Sequence, residues 1–134
     1  MIPIKQTKVG KQGNCFEACI ASVLECSIED IPNIRNEKHE CCNEILNEWL
    51  SQRGLFYLEL RVLQGHEDLV FGHGDFYYFQ IGLTERSEAL GGLGHCVVCK
   101  QGRMVFDPHP SSAGLLPSDE NALIGVFLST LCKV

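Results

Sequence analysis

Length, composition and charge indicate an ordinary globular protein and exclude several kinds of partner. The 134 residues suffice for one domain, predicted to span residues 1–134, and 45% of them are apolar. The net charge is −6, and the lysines and arginines are scattered singly. Binding to nucleic acid or to a membrane surface needs a basic face. We therefore expect no nucleic acid and no membrane as a partner.

The eight cysteines are predicted to be free thiols in a reducing compartment, the cytoplasm. Their spacing differs from a disulfide framework, because residues 43–95 contain no cysteine. The first residues lack the charged and then apolar pattern of a secretory signal. No apolar run approaches the roughly 20 residues that span a bilayer. Most of these thiols are expected to be small, buried, apolar side chains.

The first half of the chain is predicted to be helical. Residues 1–5 favour a short edge strand, and residues 6–13 form a polar loop with two glycines. Residues 15–25 carry apolar side chains at helical spacing, with small residues between them that allow close packing. We expect this helix to be buried on most sides.

A second helix is predicted over residues 37–53, after a single turn at residues 27–30 that Pro32 ends. Its apolar stripe faces the core, and Asn47 lies among the polar residues of the opposite face. Gly54 fits the position just past the helix end.

The second half is predicted to form strands. They are rich in aromatic and β-branched residues, and polar or glycine-rich loops separate them. These strands are residues 55–63, 76–83, 95–99, 103–107 and 122–131, and a short helix is the alternative for the last of them. A turn at residues 100–102 joins the third and fourth strands into a hairpin. Helices followed by antiparallel strands give an α+β fold, with a cleft between the helices and the sheet.

Cys15 is the candidate nucleophile. It follows Gly13-Asn14 at the start of the first predicted helix. Unpaired backbone N–H groups and the helix dipole favour negative charge at that position. Such surroundings lower the pKa of a thiol from about 8.5 toward neutrality or below, which makes it nucleophilic.

His95 and Asp107 are the candidate base and its orienting group. His95 begins one strand of the predicted hairpin directly after glycines, and Asp107 ends the other, twelve residues later. With a three-residue turn between the strands, both residues fall at the open end of the hairpin. A thiol, an imidazole and a carboxylate in this arrangement indicate a cysteine hydrolase.

The sequence resembles the papain-like cysteine peptidases, and among them the small bacterial and phage members related to bacteriocin-leader-processing peptidases. The resemblance extends from about Ile4 to Pro110. Its motifs, in chain order, are Gln6, Asn14-Cys15, Ala18-Cys19-Ile20-Ala21-Ser22, Gly94-His95-Cys96-Val97-Val98 and Phe106-Asp107-Pro108. It implies a papain-like fold with helices packed on an antiparallel sheet and the active site between the two halves.

The resemblance also implies roles for individual residues. A glutamine upstream of the cysteine completes the oxyanion hole, and we favour Gln6, nine residues before Cys15, over Gln12, three residues before it. Asn14, Gly94 and His109 are the predicted substrate-binding residues, since they adjoin the catalytic positions. The chain is short for a papain-like enzyme, so its substrate-binding lobes are expected to be trimmed. No cofactor is expected, and the predicted partner is a peptide or protein substrate.

Zinc binding is the competing chemistry. Cys96 and Cys99 have chelating spacing, but residues three apart on a strand point to opposite faces. No second pair of ligands stands at a suitable spacing, so we predict no metal site.

Three functions stay open at this point. The first is cleavage of a peptide or isopeptide bond through a thioester at Cys15. The second is amidase, deamidase or amine-transfer chemistry at the same residues. The third is a catalytically silent papain-like module that only binds a partner, for which the aromatic residues 76–79 would matter more than the thiol.

Overall fold

Helices come first along the chain and strands follow, as the α+β prediction requires. The computed structural model describes residues 1–32, 34, 42–63, 65–66, 79–92, 94–117 and 122–129. Within them lie two α-helices and five strands: α1 (Cys15–Leu24), α2 (Cys42–Ser51), β1 (Leu55–Val62), β2 (Gln80–Arg86), β3 (Gly94–Lys100), β4 (Arg103–Phe106) and β5 (Ala122–Ser129). Single 3₁₀ turns occur at Gly10–Gln12 and Ile28–Asp30.

The five strands form one antiparallel sheet in the order β1-β5-β2-β3-β4. Helix α1 lies against β3 and helix α2 against β1. The β3–β4 hairpin turns at Gln101 and Gly102, which both have positive φ, of 52° and 77°. That backbone matches the twist of a two-residue hairpin turn, because Lys100 still pairs with Arg103. The predicted hairpin is confirmed, but its turn has two residues and not the predicted three.

Helix α1 is buried on most sides, as its sequence predicts. Seven of its ten residues are buried. Its N-terminal end packs on the sheet through Phe16, whose ring meets the ring of Tyr57 edge-on at 5.8 Å. The ring of Tyr57 in turn contacts that of Phe127, with 5.4 Å between the ring centroids. A row of three buried aromatic side chains therefore connects α1 with β1 and β5.

Gly125 on β5 allows the ring of Tyr57 to pack directly against the backbone. A Cβ atom at this position would lie 2.2 Å from the hydroxyl oxygen of Tyr57, which is 1% exposed. No larger residue fits there unless the Tyr57 ring moves. This close approach holds the sheet against the helix that carries Cys15.

The N-terminal segment is not the edge strand that its sequence favours. Its backbone N–H groups bind α1 instead of a strand, because Ile2 donates to the Ser22 carbonyl at 3.0 Å and Ile4 donates to the Ser22 hydroxyl at 3.0 Å. The segment therefore runs along the helix. This path carries residues 5 and 6 toward the loop that follows β4.

Asn47 also differs from its predicted place on the solvated face of α2. Its side chain accepts from the Tyr57 N–H at 2.6 Å and donates to the Tyr57 carbonyl at 3.0 Å. These two hydrogen bonds join α2 to β1. The polar residue serves as a link between elements.

Strand β2 is longer at its C-terminal end than predicted. Residues 84–86 continue it, and Glu85 pairs with His95 while Arg86 pairs with Gly94. Residues 84–86 are polar and therefore do not resemble a strand in sequence, but pairing with β3 makes them one.

Predictions for residues 37–41, 76–78 and 130–131, and most of the loop at 64–74, fall outside the described residues. Among the helices of the described residues, none has the length and apolar character to cross a membrane.

Candidate active site

Cys15 occupies the first position of α1, where its backbone N–H has no acceptor within the helix. The residue is 8% exposed. The turn before it is fixed by Asn14, whose side-chain oxygen accepts from the N–H groups of Thr7 at 3.0 Å and Lys8 at 2.9 Å. The Asn14 amide also donates to the Thr7 hydroxyl at 2.8 Å. Asn14, predicted to bind substrate, thus has most of its hydrogen-bonding capacity engaged in shaping the turn.

His95 and Asp107 form a buried pair. The Nε2 atom of His95 lies 2.6 Å from Oδ1 of Asp107, and the two side chains are 1% and 3% exposed. The Asp107 carboxylate also accepts from the backbone N–H of His109 at 2.9 Å and of Gly114 at 3.1 Å. Both carboxylate oxygens are therefore paired, which fixes the carboxylate and with it the imidazole.

The second ring nitrogen of His95, Nδ1, is the one left for Cys15, since Nε2 contacts Asp107. A hydrogen bond between the two side chains contributes to the pKa of both Cys15 and His95. The structure thus brings together the three residues that the sequence predicts as nucleophile, base and orienting group.

The surroundings of Cys15 lower the pKa of its thiol to about 4. The largest cause is a hydrogen bond from the thiol of Cys96, and hydrogen bonds from His95 and from the Cys96 backbone N–H act in the same direction. Burial opposes them, because it disfavours the charged form. Donors to the sulfur outweigh burial, so the surroundings of Cys15 favour the thiolate form.

The pKa values of His95 and Asp107 move in the directions that stabilise an ion pair. Burial is the largest influence on His95 and lowers its pKa, but the hydrogen bonds with Cys15 and Asp107 raise it above the usual value. Burial likewise raises the pKa of Asp107, and the hydrogen bonds from His95, His109 and Gly114 lower it below the usual range. A thiolate, an imidazolium and a carboxylate are therefore the favoured charge states.

Gln6 and Gln12 have very different positions. Gln12 is exposed in the 3₁₀ turn, whereas Gln6 is 5% exposed. The Gln6 side-chain amide donates to the Lys8 carbonyl at 2.7 Å, and its nitrogen lies 3.4 Å from where a Cβ of Gly13 would stand. The Gln6 backbone N–H donates to the Pro108 carbonyl at 2.9 Å. Gln6 thus lies between the turn before Cys15 and the loop after Asp107, with one amide N–H not used by Lys8.

Gly94 and His109 adjoin the pair from two sides. Gly94 is exposed, and apart from its two chain neighbours no atom of the described residues lies within 4 Å of a Cβ built on it. His109 is 9% exposed, and its ring centroid lies 6.2 Å from that of His95. Its Nδ1 accepts from the Ser111 N–H at 3.2 Å, which places the proton of the neutral ring on Nε2. That buried Nε2 has no hydrogen-bond partner among the described residues.

Two residues at the site are not predicted from the sequence. Cys96, expected only to fill space, donates to Cys15. Lys5 donates through Nζ to the carbonyls of Asp107 at 3.0 Å and His109 at 2.8 Å, and to the Ser112 hydroxyl. The lysine therefore ties the N-terminal segment to the loop that carries Asp107. The only sign of this contact in the sequence is the length of the segment before Cys15. That length lets Lys5 reach the loop that carries Asp107.

The described residues include no group of three or more histidine, cysteine, aspartate or glutamate side chains placed to hold a metal ion. Burial raises the pKa of the Cys99 thiol to about 12, so this half of the Cys96 and Cys99 pair stays protonated. A protonated, enclosed thiol is a poor ligand, since metals bind the thiolate.

In comparison with known proteins, no family model, no curated protein and no solved structure matches the chain.

Proposed function

We propose that this protein is a papain-like cysteine hydrolase that cleaves a peptide or isopeptide bond in a peptide or protein substrate. The observation that carries the proposal is the convergence of Cys15, His95 and Asp107, with the pKa of Cys15 lowered to about 4. These residues come from α1, β3 and the loop after β4. A protein that only binds a partner has no need of an activated thiolate beside an oriented imidazole.

In the first step, the Cys15 thiolate attacks the substrate carbonyl carbon and forms a tetrahedral oxyanion. The backbone N–H of Cys15 and the free amide N–H of Gln6 are the donors that we assign to this oxyanion. The His95 imidazolium then gives its proton to the leaving amine as the C–N bond breaks. The product of this step is a thioester at Cys15 and a free amine.

In the second step, neutral His95 takes a proton from water, and the resulting hydroxide attacks the thioester. The C–S bond breaks, the acid product leaves, and the thiolate–imidazolium pair returns. Asp107 holds the imidazole in one orientation throughout and stabilises its charged form. An amine in place of water gives transfer, and a side-chain amide as substrate gives deamidation, at the same residues.

Free thiols are consistent with the reducing cytoplasm as the site of action. Among the described residues, Cys15, Cys19, Cys26 and Cys99 have free thiols. Oxidation would consume the nucleophile, so we place the activity in that compartment.

The test is cleavage of a library of unstructured peptides, read by mass spectrometry. We expect Cys15→Ala and His95→Ala each to lower kcat/KM by about 10³-fold or more. Cys26→Ala, which removes a half-buried thiol outside the site, is the matched control and should retain full activity. If the Cys15→Ala variant cleaves the same peptides as fast as the wild type, the proposal is wrong.

A further inference from the structure

Cys96 is a second thiol at the active site, and the proposed hydrolysis does not use it. Both its thiol and its backbone N–H donate hydrogen bonds to the sulfur of Cys15. It directly follows His95 on β3, the strand that lies against α1. Cys96 is half-buried and packs against the core, which holds its side chain in this place. Two sulfur atoms, one from α1 and one from β3, are therefore in direct contact.

This contact suits a disulfide bond. Such a bond needs the two sulfur atoms about 2 Å apart and the two Cα atoms within about 7 Å. The hydrogen bond from the Cys96 N–H brings the backbone of β3 itself to the sulfur of Cys15. Because the backbone and the thiol of Cys96 both reach this sulfur, a small rotation of the side chains brings the two sulfur atoms to bonding distance.

The other cysteines of the described residues are less suited as partners of Cys15. Cys19 is fully enclosed, and burial raises the pKa of its thiol well above the usual value. Cys99, three residues after Cys96, is enclosed as well, and burial raises the pKa of its thiol to about 12. Cys26 lies past the C-terminal end of α1, and Cys15 begins that helix. Within this set, Cys96 is the thiol best placed to bond with Cys15.

We propose that Cys15 and Cys96 form a reversible disulfide when hydrogen peroxide oxidises Cys15, and that this modification switches the hydrolase off. Peroxide oxidises the thiolate form of a cysteine, and the surroundings of Cys15 favour that form. Formation of the disulfide depends only on this reactive thiolate. The regulatory consequence also rests on the proposed hydrolase function.

The reaction has two steps, and hydrogen peroxide is the oxidant. In the first, the Cys15 sulfur attacks one peroxide oxygen, the O–O bond breaks, and Cys15 becomes a sulfenic acid. The hydroxide that leaves takes the proton of the His95 imidazolium and becomes water. In the second, the Cys96 sulfur attacks the Cys15 sulfur and the S–O bond breaks. The departing hydroxide takes the Cys96 proton, so the two thiols are oxidised and the peroxide is reduced to water.

The disulfide also protects the nucleophile from permanent loss. Further oxidation of a sulfenic acid gives sulfinic and sulfonic acids, which thiols do not reduce. Attack by Cys96 removes the sulfenic acid before this happens, and a dithiol then restores both cysteines by exchange. As long as the bond exists, Cys15 has no thiolate with which to attack a carbonyl.

The test treats the reduced protein with an excess of hydrogen peroxide at neutral pH and then with dithiothreitol. Before dithiothreitol is added, tandem mass spectrometry of a digest should show a peptide pair that is linked through Cys15 and Cys96. After dithiothreitol, the fraction of Cys15 that iodoacetamide labels measures the recovery of the thiol. We expect the wild type to recover at least about 80% of its labelling.

Cys96→Ser separates the disulfide from the hydrogen bond, because serine keeps a donor to Cys15 and lacks the second sulfur. We expect no linked pair in this variant and a recovery of about 20% or less, since its sulfenic acid is oxidised further. Cys26→Ser, which removes a half-buried thiol outside the site, is the matched control and should behave like the wild type. Each recovery is measured against the untreated sample of the same variant, so differences in basal reactivity cancel.

Peptide cleavage by the same samples distinguishes failure of this inference from failure of the proposed function. Absence of the link between Cys15 and Cys96, or full recovery in Cys96→Ser, overturns the disulfide and leaves the hydrolase intact. A link that forms without loss of cleavage overturns the switch. If the reduced protein cleaves no peptide although the link forms, the proposed hydrolase is wrong and the disulfide stands.

Discussion

Cys96 provides the strongest influence on the nucleophile, although it lies next to the base in sequence. Its thiol donates to Cys15, and its backbone N–H donates as well. A hydrogen bond to a charged group contributes about 1.5–3 kcal/mol, which corresponds to one to two pH units of pKa. The Cys96 side chain therefore stabilises the Cys15 thiolate by donating a hydrogen bond to it, and it takes no part in the hydrolytic reaction.

Replacing Cys96 tests this role. In Cys96→Ala the thiol donor is lost, and we expect the pKa of Cys15 to rise by about one to two pH units. Cys96→Ser retains a donor of similar size and should restore a low pKa. The measurement is the pH midpoint of Cys15 alkylation in each variant. A space-filling role alone predicts the same midpoint in all three proteins, and that result would refute the assignment.

At this scale the sequence predicts that Cys15, His95 and Asp107 come together, which they do in the structure, but it does not predict their neighbours. Cys15, His95 and Asp107 were predictable because a helix start and a hairpin register are local features. The Cys96 contact was not, because it joins two elements about 80 residues apart and depends on how closely α1 lies against β3. Composition alone makes Cys96 a buried apolar residue, and it is indeed packed against the core as well.

Among the elements, the N-terminal segment and the loop after β4 act together. Lys5 donates to the carbonyls of Asp107 and His109, and the Gln6 N–H donates to the Pro108 carbonyl. The Asp107 carboxylate is held in turn by two N–H groups of its own loop. A segment without regular secondary structure therefore fixes the group that orients the base.

Lys5→Met removes the ammonium donors while retaining much of the aliphatic stem. We expect the Asp107 loop to loosen and the pKa of His95, which the contact with Asp107 helps to raise, to fall toward its usual value. The imidazolium then loses its proton at a lower pH, so the alkaline limb of the activity profile shifts to lower pH. The peptide-cleavage rate should fall by about tenfold, because orientation of the base is lost.

Lys5→Arg, which keeps a cationic donor, should recover most of that rate. Arg61→Met, which removes an exposed cation on β1, controls for the change in net charge. An unchanged pH profile in Lys5→Met would show that the lysine does not position Asp107.

This arrangement of residues 1–5 could not be predicted from the sequence, which favours an edge strand there. The pattern of apolar residues does not reveal that the backbone of this segment is hydrogen-bonded to Ser22.

For the whole molecule, the fold brings three distant segments to one place. Helix α1 lies against β3, β3 pairs with β4, and the aromatic contacts of Tyr57 hold α1 on the β1–β5 side of the sheet. The α+β class and the hairpin turn could be predicted from chain order, strand-forming residues and the glycine at 102. The strand order β1-β5-β2-β3-β4 could not, since it is set by long-range pairing between β5 and both β1 and β2.

The activated thiolate exists only when this assembly is intact. Unfolding separates Cys15 from Cys96 and His95, and the pKa of its thiol then returns to about 8.5, the value of a free cysteine. Burial raises the pKa of Cys19 and of Cys99 in the folded protein, so neither competes with Cys15 for an alkylating reagent.

The central claim is tested most directly by the pH dependence of iodoacetamide labelling, with mass mapping of the modified cysteine. In the folded protein we expect Cys15 to be labelled fastest, at a rate that persists as the pH falls and declines only near pH 4, where the thiolate takes up its proton. In concentrated urea, or in His95→Ala, the midpoint should move to higher pH. A folded-state midpoint near 8.5, or labelling of Cys15 no faster than that of Cys26, would contradict the account.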